Sequence, residues 1–343
     1  MNSNDMRDRR QEHPTPRPHS GDLRGVHHIT AIAGDPQQNV EFYAGILGLR
    51  LVKQTVNFDD PGTYHLYFGD ALGRPGTILT FFPWPGAPRG RHGVGQATVV
   101  SFSVPPDSLG FWGERLRSLV IPFERLESAF GEPVLEFSDP DGLHLELVED
   151  SRTDLGQPWT GASVPSPQAI RGFHSVALLE RTHDGTAELL TEVMGFRLAQ
   201  AVGHRRRYVV GDGGLATKVD VVIAPDAPSG QVAVGTVHHV AWRAATDEAQ
   251  EAWRRRLVAA YLSVTTVRDR RYFRSIYFHE PGGVLFEIAT DPPGFTVDEP
   301  AEVLGAKLQL PPWLEPRRQM LEARLPVLRL PPGPGQKARP HVP

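Results

Sequence analysis

Between residues 24 and 300 the hydrophobic pattern switches repeatedly from short apolar runs to a helical stripe and back. Val26 to Ala33 reads as a strand. Pro36 to Leu47 carries Val40, Phe42, Tyr43, Ile46 and Leu47 at helical spacing, with Asp35 in the capping position, Pro36 at the first helical residue and Gly48 as the stop. Leu49 to Val56, Tyr64 to Phe68 and Thr77 to Phe82 follow as β-rich runs parted by Gly, Asp and Pro. The expected unit is βαβββ.

That order can be traced three more times, starting at Ala97, Gly172 and Thr236. Helices are expected near Leu109 to Leu119 and Asp247 to Tyr261, with final strands running to Val148 and over Val284 to Ala289. The phrase Gly25-Val26-His27-His28-Ile29 returns 147 residues later as Gly172-Phe173-His174-Ser175-Val176. Asp139-Pro140-Asp141-Gly142-Leu143-His144-Leu145-Glu146 returns 141 residues later as Glu280 to Glu287. Two unlike phrases returning at nearly one spacing indicate duplication of a whole domain. The expected fold class is α+β: four βαβββ modules paired into two barrel-like domains, 25–150 and 172–292, joined by a linker over 151–171. A disordered arm is expected over 1–24. A Pro-rich extension covers 293–343, with a short helix near Leu314 to Leu325 packed on the second domain and a disordered end from Pro331.

A chain of 343 residues can bury two ordinary cores, and 40% hydrophobic with 22% charged residues is a globular balance. A net charge of −4 provides no basic stripe for nucleic acid. With no cysteine, disulfides, thiolate nucleophiles and Cys-based metal sites are excluded, so any metal must be held by nitrogen and oxygen. No apolar signal core follows Arg9-Arg10 and no membrane span is apparent, which makes a cytoplasmic location the expectation.

The differences between the copies point to chemistry. Strand alternation is expected to put His27 and His28 on opposite faces, and likewise His238 and His239, so that at most one of each pair faces a cavity. Unit three keeps the first His as His174 and replaces the second with Ser175. The position that varies is the functional candidate, which selects His28 and His239 as metal ligands, with Glu287 as the third. Two imidazoles and a carboxylate occupy one face of an octahedral ion and leave the others open, the arrangement of non-haem Fe(II) oxygenases. Unit two supplies Glu146 but no imidazole, so one metal per chain is expected. His65, His92, His144, His183, His204 and His279 are read as surface or packing residues. Gly211-Asp212-Gly213-Gly214 reads as a hairpin turn.

These stretches, with Tyr64-His65-Leu66-Tyr67-Phe68 and Pro281-Gly282-Gly283-Val284-Leu285-Phe286-Glu287, resemble the vicinal oxygen chelate superfamily. Within it they look most like the hydroquinone-type ring-cleaving dioxygenases. The resemblance covers about residues 24 to 300 and implies an Fe(II) enzyme, with Mn(II) as the alternative ion, that opens the ring of a hydroquinone or catechol with dioxygen. It implies one ligand from the first unit and two from the fourth, matching His28, His239 and Glu287. It also implies supporting roles for His27, Thr30, His238, Arg270 and Tyr277, with Arg271 competing for the place of Arg270. The implied partners are a small aromatic diol, dioxygen and a second copy of the chain in a homodimer or higher oligomer. Two other readings stay open: a metal-dependent isomerase, epimerase or thiol transferase on the same scaffold, and a ligand-binding protein without chemistry. Glyoxalase-like members bring four protein ligands, whereas unit one ends in Thr77-Ile78-Leu79-Thr80-Phe81-Phe82 with no carboxylate.

Overall fold

A computed structural model describes residues 23–152, 157–161 and 163–331. Expectations for the N-terminal arm and the chain's last stretch fall almost wholly outside the described residues. Unit one contributes β1 (Val26–Ala33), α1 (Pro36–Val40), β2 (Arg50–Val56), β3 (Tyr64–Gly69) and β4 (Ile78–Pro83). Unit two contributes β5 (Gln96–Val104), α2 (Leu109–Ser118), β6 (Phe123–Glu127), β7 (Pro133–Ser138) and β8 (His144–Glu149). Unit three contributes β9 (Gly172–Glu180), α3 (Asp184–Glu188), β10 (Arg197–Val202), β11 (Arg205–Val209) and β12 (Lys218–Ile223). Unit four contributes β13 (Val237–Ala244), α4 (Asp247–Ala259), β14 (Arg268–Asp269), β15 (Arg274–His279) and β16 (Leu285–Thr290).

The expected caps form. Asp35 accepts from the Gln38 backbone N–H at 2.8 Å and Thr246 accepts from that of Ala249 at 3.2 Å, satisfying N–H groups that a helix start leaves free. Unit one's helical stripe widens after α1 into a π segment over Glu41–Ile46. Unit three repeats this over Leu189–Val193, while the helices of units two and four do not, so the widening follows the 147-residue repeat that relates units one and three. No described helix is long and apolar enough to cross a membrane.

The strands form two eight-stranded mixed sheets, β14-β15-β16-β13-β1-β4-β3-β2 and β10-β11-β12-β9-β5-β8-β7-β6. Unit one therefore shares a sheet with unit four, and unit two with unit three. Sequence order suggested that neighbours within 25–150 and within 172–292 would pair, and the sheets pair across those halves instead. The joins are antiparallel, β1 with β13 and β5 with β9, so each unit's inner edge strand finds backbone partners in a unit from the other half.

Ile29, Val100, Val176 and Val240 are fully buried in a core shared by both sheets and their helices. On the opposite, concave face of the first sheet, Tyr67, Ile78, Ala241, Tyr272, Phe273 and Ala289 form a second cluster, closed by Phe295 and Leu304 from the C-terminal extension. The short helix near Leu314 to Leu325 was expected on the second half. That part of the extension lies along unit one instead, where Leu308 bridges Gln54 of the sheet's edge strand and α5 (Arg318–Arg324) follows beyond, against Gly62. An uncovered edge at β2 offers unpaired backbone groups, and the extension takes them: Gln309 N–H donates to Gln54 O at 2.8 Å.

Candidate metal centre

Strand register brings the functional candidates together. Tyr277 pairs with Glu287, Glu287 with Ala241 and Ala241 with His28, a row running across four adjacent strands. A second row runs from His239 through Thr30 and Thr80 to Tyr67. Alanine at position 241, between Glu287 and His28, leaves room for the side chains around it to converge. His28 Nε2 and His239 Nε2 lie 3.3 Å apart, and Glu287 Oε2 lies 3.5 Å from the first and 3.0 Å from the second. All three residues are buried, and this is the one group of convergent nitrogen and oxygen donors of its kind among the described residues.

These separations fit a metal. Ligand bonds of about 2.1 Å place neighbouring donor atoms about 3.0 Å apart at octahedral angles and about 3.4 Å apart at tetrahedral ones. Glu287 Oε2 is buried with no well-angled hydrogen-bond donor despite its closeness to both imidazoles, as expected when lone pairs point at a common centre rather than at one another. Its other oxygen accepts from Ser275 Oγ. Burial would raise the Glu287 pKa, but the imidazoles of His28 and His239 outweigh it and hold the carboxyl well below its usual range. Burial lowers the His239 pKa, which favours the neutral, ligating form.

The expected alternation fails at two points, for a local reason. The β1–β13 ladder carries irregularities between Val26 and His28 and between Thr30 and Ala31, the latter opposite His238 and His239. A bulge re-aims a side chain. As a result His27 Nδ1 meets His28 Nδ1 at 2.9 Å, and His238 Nδ1 meets His239 Nδ1 at 2.8 Å. His28 lines the cavity without His27, as expected, whereas His238 and His239 both line it, contrary to the expectation of at most one from each pair. Burial and the neighbouring His239 lower the His238 pKa to about 3. Burial and His28 likewise push that of His27 well down.

Around the three donors lies a cavity of about 210 Å³, walled by Phe58, Phe82, Trp84, Tyr67 and Phe273 and carrying Arg270 and Tyr277. Arg270 Nε donates to Tyr277 Oη at 3.2 Å, and its guanidinium pairs with Asp59 at 3.0 Å. Arg271 does not compete for this place. Its backbone, at φ 70°, turns the side chain to Asp298 at 3.6 Å. Burial, reinforced by Glu287, pushes the Tyr277 phenol well up, so it stays protonated.

Thr30 Oγ1 lies 2.9 Å from Thr80 Oγ1, and Thr80 occupies in unit one the register position that Glu287 holds in unit four. A hydroxyl therefore stands where a fourth ligand would be. Thr80 also meets His65 Nε2 at 2.8 Å, and His65 Nδ1 meets Tyr67 Oη at 2.8 Å. His65 lines the cavity, although its sequence context read as packing. The available signal was its two-residue spacing from Tyr67, which puts both on one face of β3.

The other sheet has lost the equivalent site. Val99, Ser175 and Glu146 stand at the twin positions, Ser101 Oγ donates to Glu146 at 2.5 Å, and ion pairs occupy the space: Arg207 with Asp220 at 2.7 Å and with Glu132 at 2.6 Å.

The family model for the Glyoxalase/Bleomycin resistance protein/Dioxygenase superfamily matches residues 25–147 and 172–296. The chain is 51% identical over 301 residues to a Bacillus subtilis protein provisionally named ring-cleaving dioxygenase MhqO, covering 88% of this chain and 95% of that one. It is 36% identical over 299 residues to the chlorohydroquinone/hydroquinone 1,2-dioxygenase of Sphingobium indicum, covering 85% and 93%. A crystal structure of a provisionally assigned dioxygenase from Bacillus subtilis superposes with a TM-score of 0.87 at 49% identity, covering 91% of this chain and 99% of that one. Duplicated modules, joined sheets and matched sequence together make the chain a member of the Glyoxalase/Bleomycin resistance protein/Dioxygenase superfamily.

Proposed function

We propose that the protein is a dioxygenase that cleaves the ring of a hydroquinone or catechol, using Fe(II) held by His28, His239 and Glu287. The observation that carries this reading is the meeting of three metal-competent donors at one end of an aromatic-walled cavity. The relatives named as ring-cleaving dioxygenases support it, and the hydroxyl of Thr80 at the fourth ligand position favours it over a four-ligand isomerase. The bound ion would supply the redox and Lewis-acid chemistry that couples the diol to dioxygen.

The protein's own residues supply positioning and protons. Phe58, Phe82, Trp84 and Phe273 give the ring an apolar slot and exclude water from it. With Nε2 of His28 and His239 turned to the ion, each Nδ1–H donates to the preceding histidine, which fixes both rings. His238 Nε2–H is then left as a donor into the cavity. Because Arg270 donates to the Tyr277 oxygen, the phenolic proton is free to donate to an oxygen of the substrate, while the guanidinium stabilises negative charge there. Thr30 holds Thr80 and, through it, the His65 wall of the cavity.

Oxygen uptake measured on hydroquinone and on catechol tests the reading. Uptake that a chelator abolishes and Fe(II) restores is expected. Turnover without oxygen consumption, or uptake indifferent to Fe(II), would contradict it.

A further inference from the structure

The described part of the extension, residues 293–331, starts after the last strand of unit four and ends against unit one, meeting on its way the loop between β2 and β3. That loop contributes Asn57, Phe58 and Asp59 to the lining of the cavity. Asp59, at the exposed rim of the loop, pairs with Arg270 at 3.0 Å. On its outer side the loop meets the extension. Phe58 packs edge-on against Trp313 with ring centroids 5.7 Å apart, and Tyr64 Oη, at the start of β3, donates to Pro326 O at 2.9 Å. A Cβ on Gly62 would fall 2.8 Å from Cζ of Arg324, so α5 presses directly on the loop.

We infer that the C-terminal extension is a positioning element for the aromatic substrate, with Trp313 acting through Phe58 on the loop that carries Asp59 to Arg270. The inference rests on the proposed reading of the cavity as the place where an aromatic diol binds. Three observations support it. The loop's internal backbone hydrogen bonds close only on themselves, Asn57 with Thr63 and Asp60 with both, so its placement depends on side-chain contacts. The extension is anchored independently of the loop, since Lys53 is buried beneath Asp298 and Glu299 and Gln54 Nε2 donates to Gly305 O at 2.6 Å. Trp313 is half exposed, so its contact with Phe58 is not needed to complete a core. A ring held between Phe58 and Phe273 would therefore experience the order that Trp313 imposes.

Two measurements on the full chain test this. Hydrogen exchange over residues 57–63 is expected to quicken about tenfold in Trp313→Ala and to return near wild type in Trp313→Phe. Anaerobic binding of 4-nitrocatechol to the Fe(II)-loaded protein, followed by its visible absorbance, is expected to weaken about 3- to 10-fold in Trp313→Ala, and no further when Phe58→Ala is already present. Unchanged loop exchange in Trp313→Ala, or effects of the two substitutions that simply multiply, would overturn the inference. Wild-type protein that binds no 4-nitrocatechol and takes up no oxygen would contradict the proposed function and with it the positioning of an aromatic substrate, whereas normal wild-type binding that Trp313→Ala leaves unchanged would overturn this inference alone.

Discussion

Glu180 ends β9 fully buried, and neither of its carboxylate oxygens has a hydrogen-bond donor. It packs on Gly282, where an added Cβ would lie 2.6 Å from its Cδ, and it faces buried Glu280. Glu280 already takes the local donors, Thr186 Oγ1 at 2.6 Å and the backbone N–H groups of Gly282 and Val284, each at 2.7 Å. Burial first, and Glu280 second, push the Glu180 carboxyl from 4.5 up to about 8. The folded state therefore keeps a proton that the unfolded chain loses, and stability falls as pH rises through that window. Each pH unit costs up to about 1.4 kcal/mol, or roughly 3 kcal/mol between about pH 5.5 and about pH 8.5. At about 1.4 °C per kcal/mol for a chain of this size, that is a Tm difference of about 4 °C. Glu180→Gln removes the titration while keeping the shape. Thermal melts of chelator-treated wild type and variant across this range should diverge by about that amount, the variant being the more stable at the alkaline end. Parallel melting curves would refute the reasoning.

Three further outcomes are expected. Ser275→Ala removes the donor to Glu287 Oε1 and should weaken metal binding about 10- to 100-fold, read by competition with a chromogenic chelator. Tyr277→Phe should lower kcat about 100-fold with metal content unchanged, since it deletes the hydroxyl beside Arg270 and spares the ligands. Arg207→Leu leaves buried Asp220 in the other sheet with only the longer Arg205 contact at 3.6 Å and should cost about 3 kcal/mol in melts of the metal-free protein, while metal affinity stays at the wild-type level.

The repeat made the βαβββ units readable, because its offset ties Gly25 to Gly172 and Glu146 to Glu287. Comparison of the copies also isolated His28, since Ser175 replaces it in unit three. Which units share a sheet was not readable. Inner strands that occupy the same place in each unit can pair with either neighbour, and only the β1–β13 and β5–β9 ladders decide between them. The joint placement of His238 and His239 was hidden for a different reason, because a bulge breaks the period of two and leaves no mark in composition. His65 was hidden because one histidine in an apolar strand looks like any other. Its role comes from Thr80 on the neighbouring strand and Tyr67 on its own. The extension's place on unit one depends on buried contacts such as Lys53 with Asp298, between residues far apart in the chain.

Anaerobic titration of Fe(II) into the chelator-treated protein, alongside His28→Ala, His239→Ala and Glu287→Ala variants shown to be folded by circular dichroism, tests the proposed centre most directly. One equivalent should bind to the wild type, and each variant should lose about 100-fold or more in affinity. Tight stoichiometric binding that survives in any of the three would contradict the assignment.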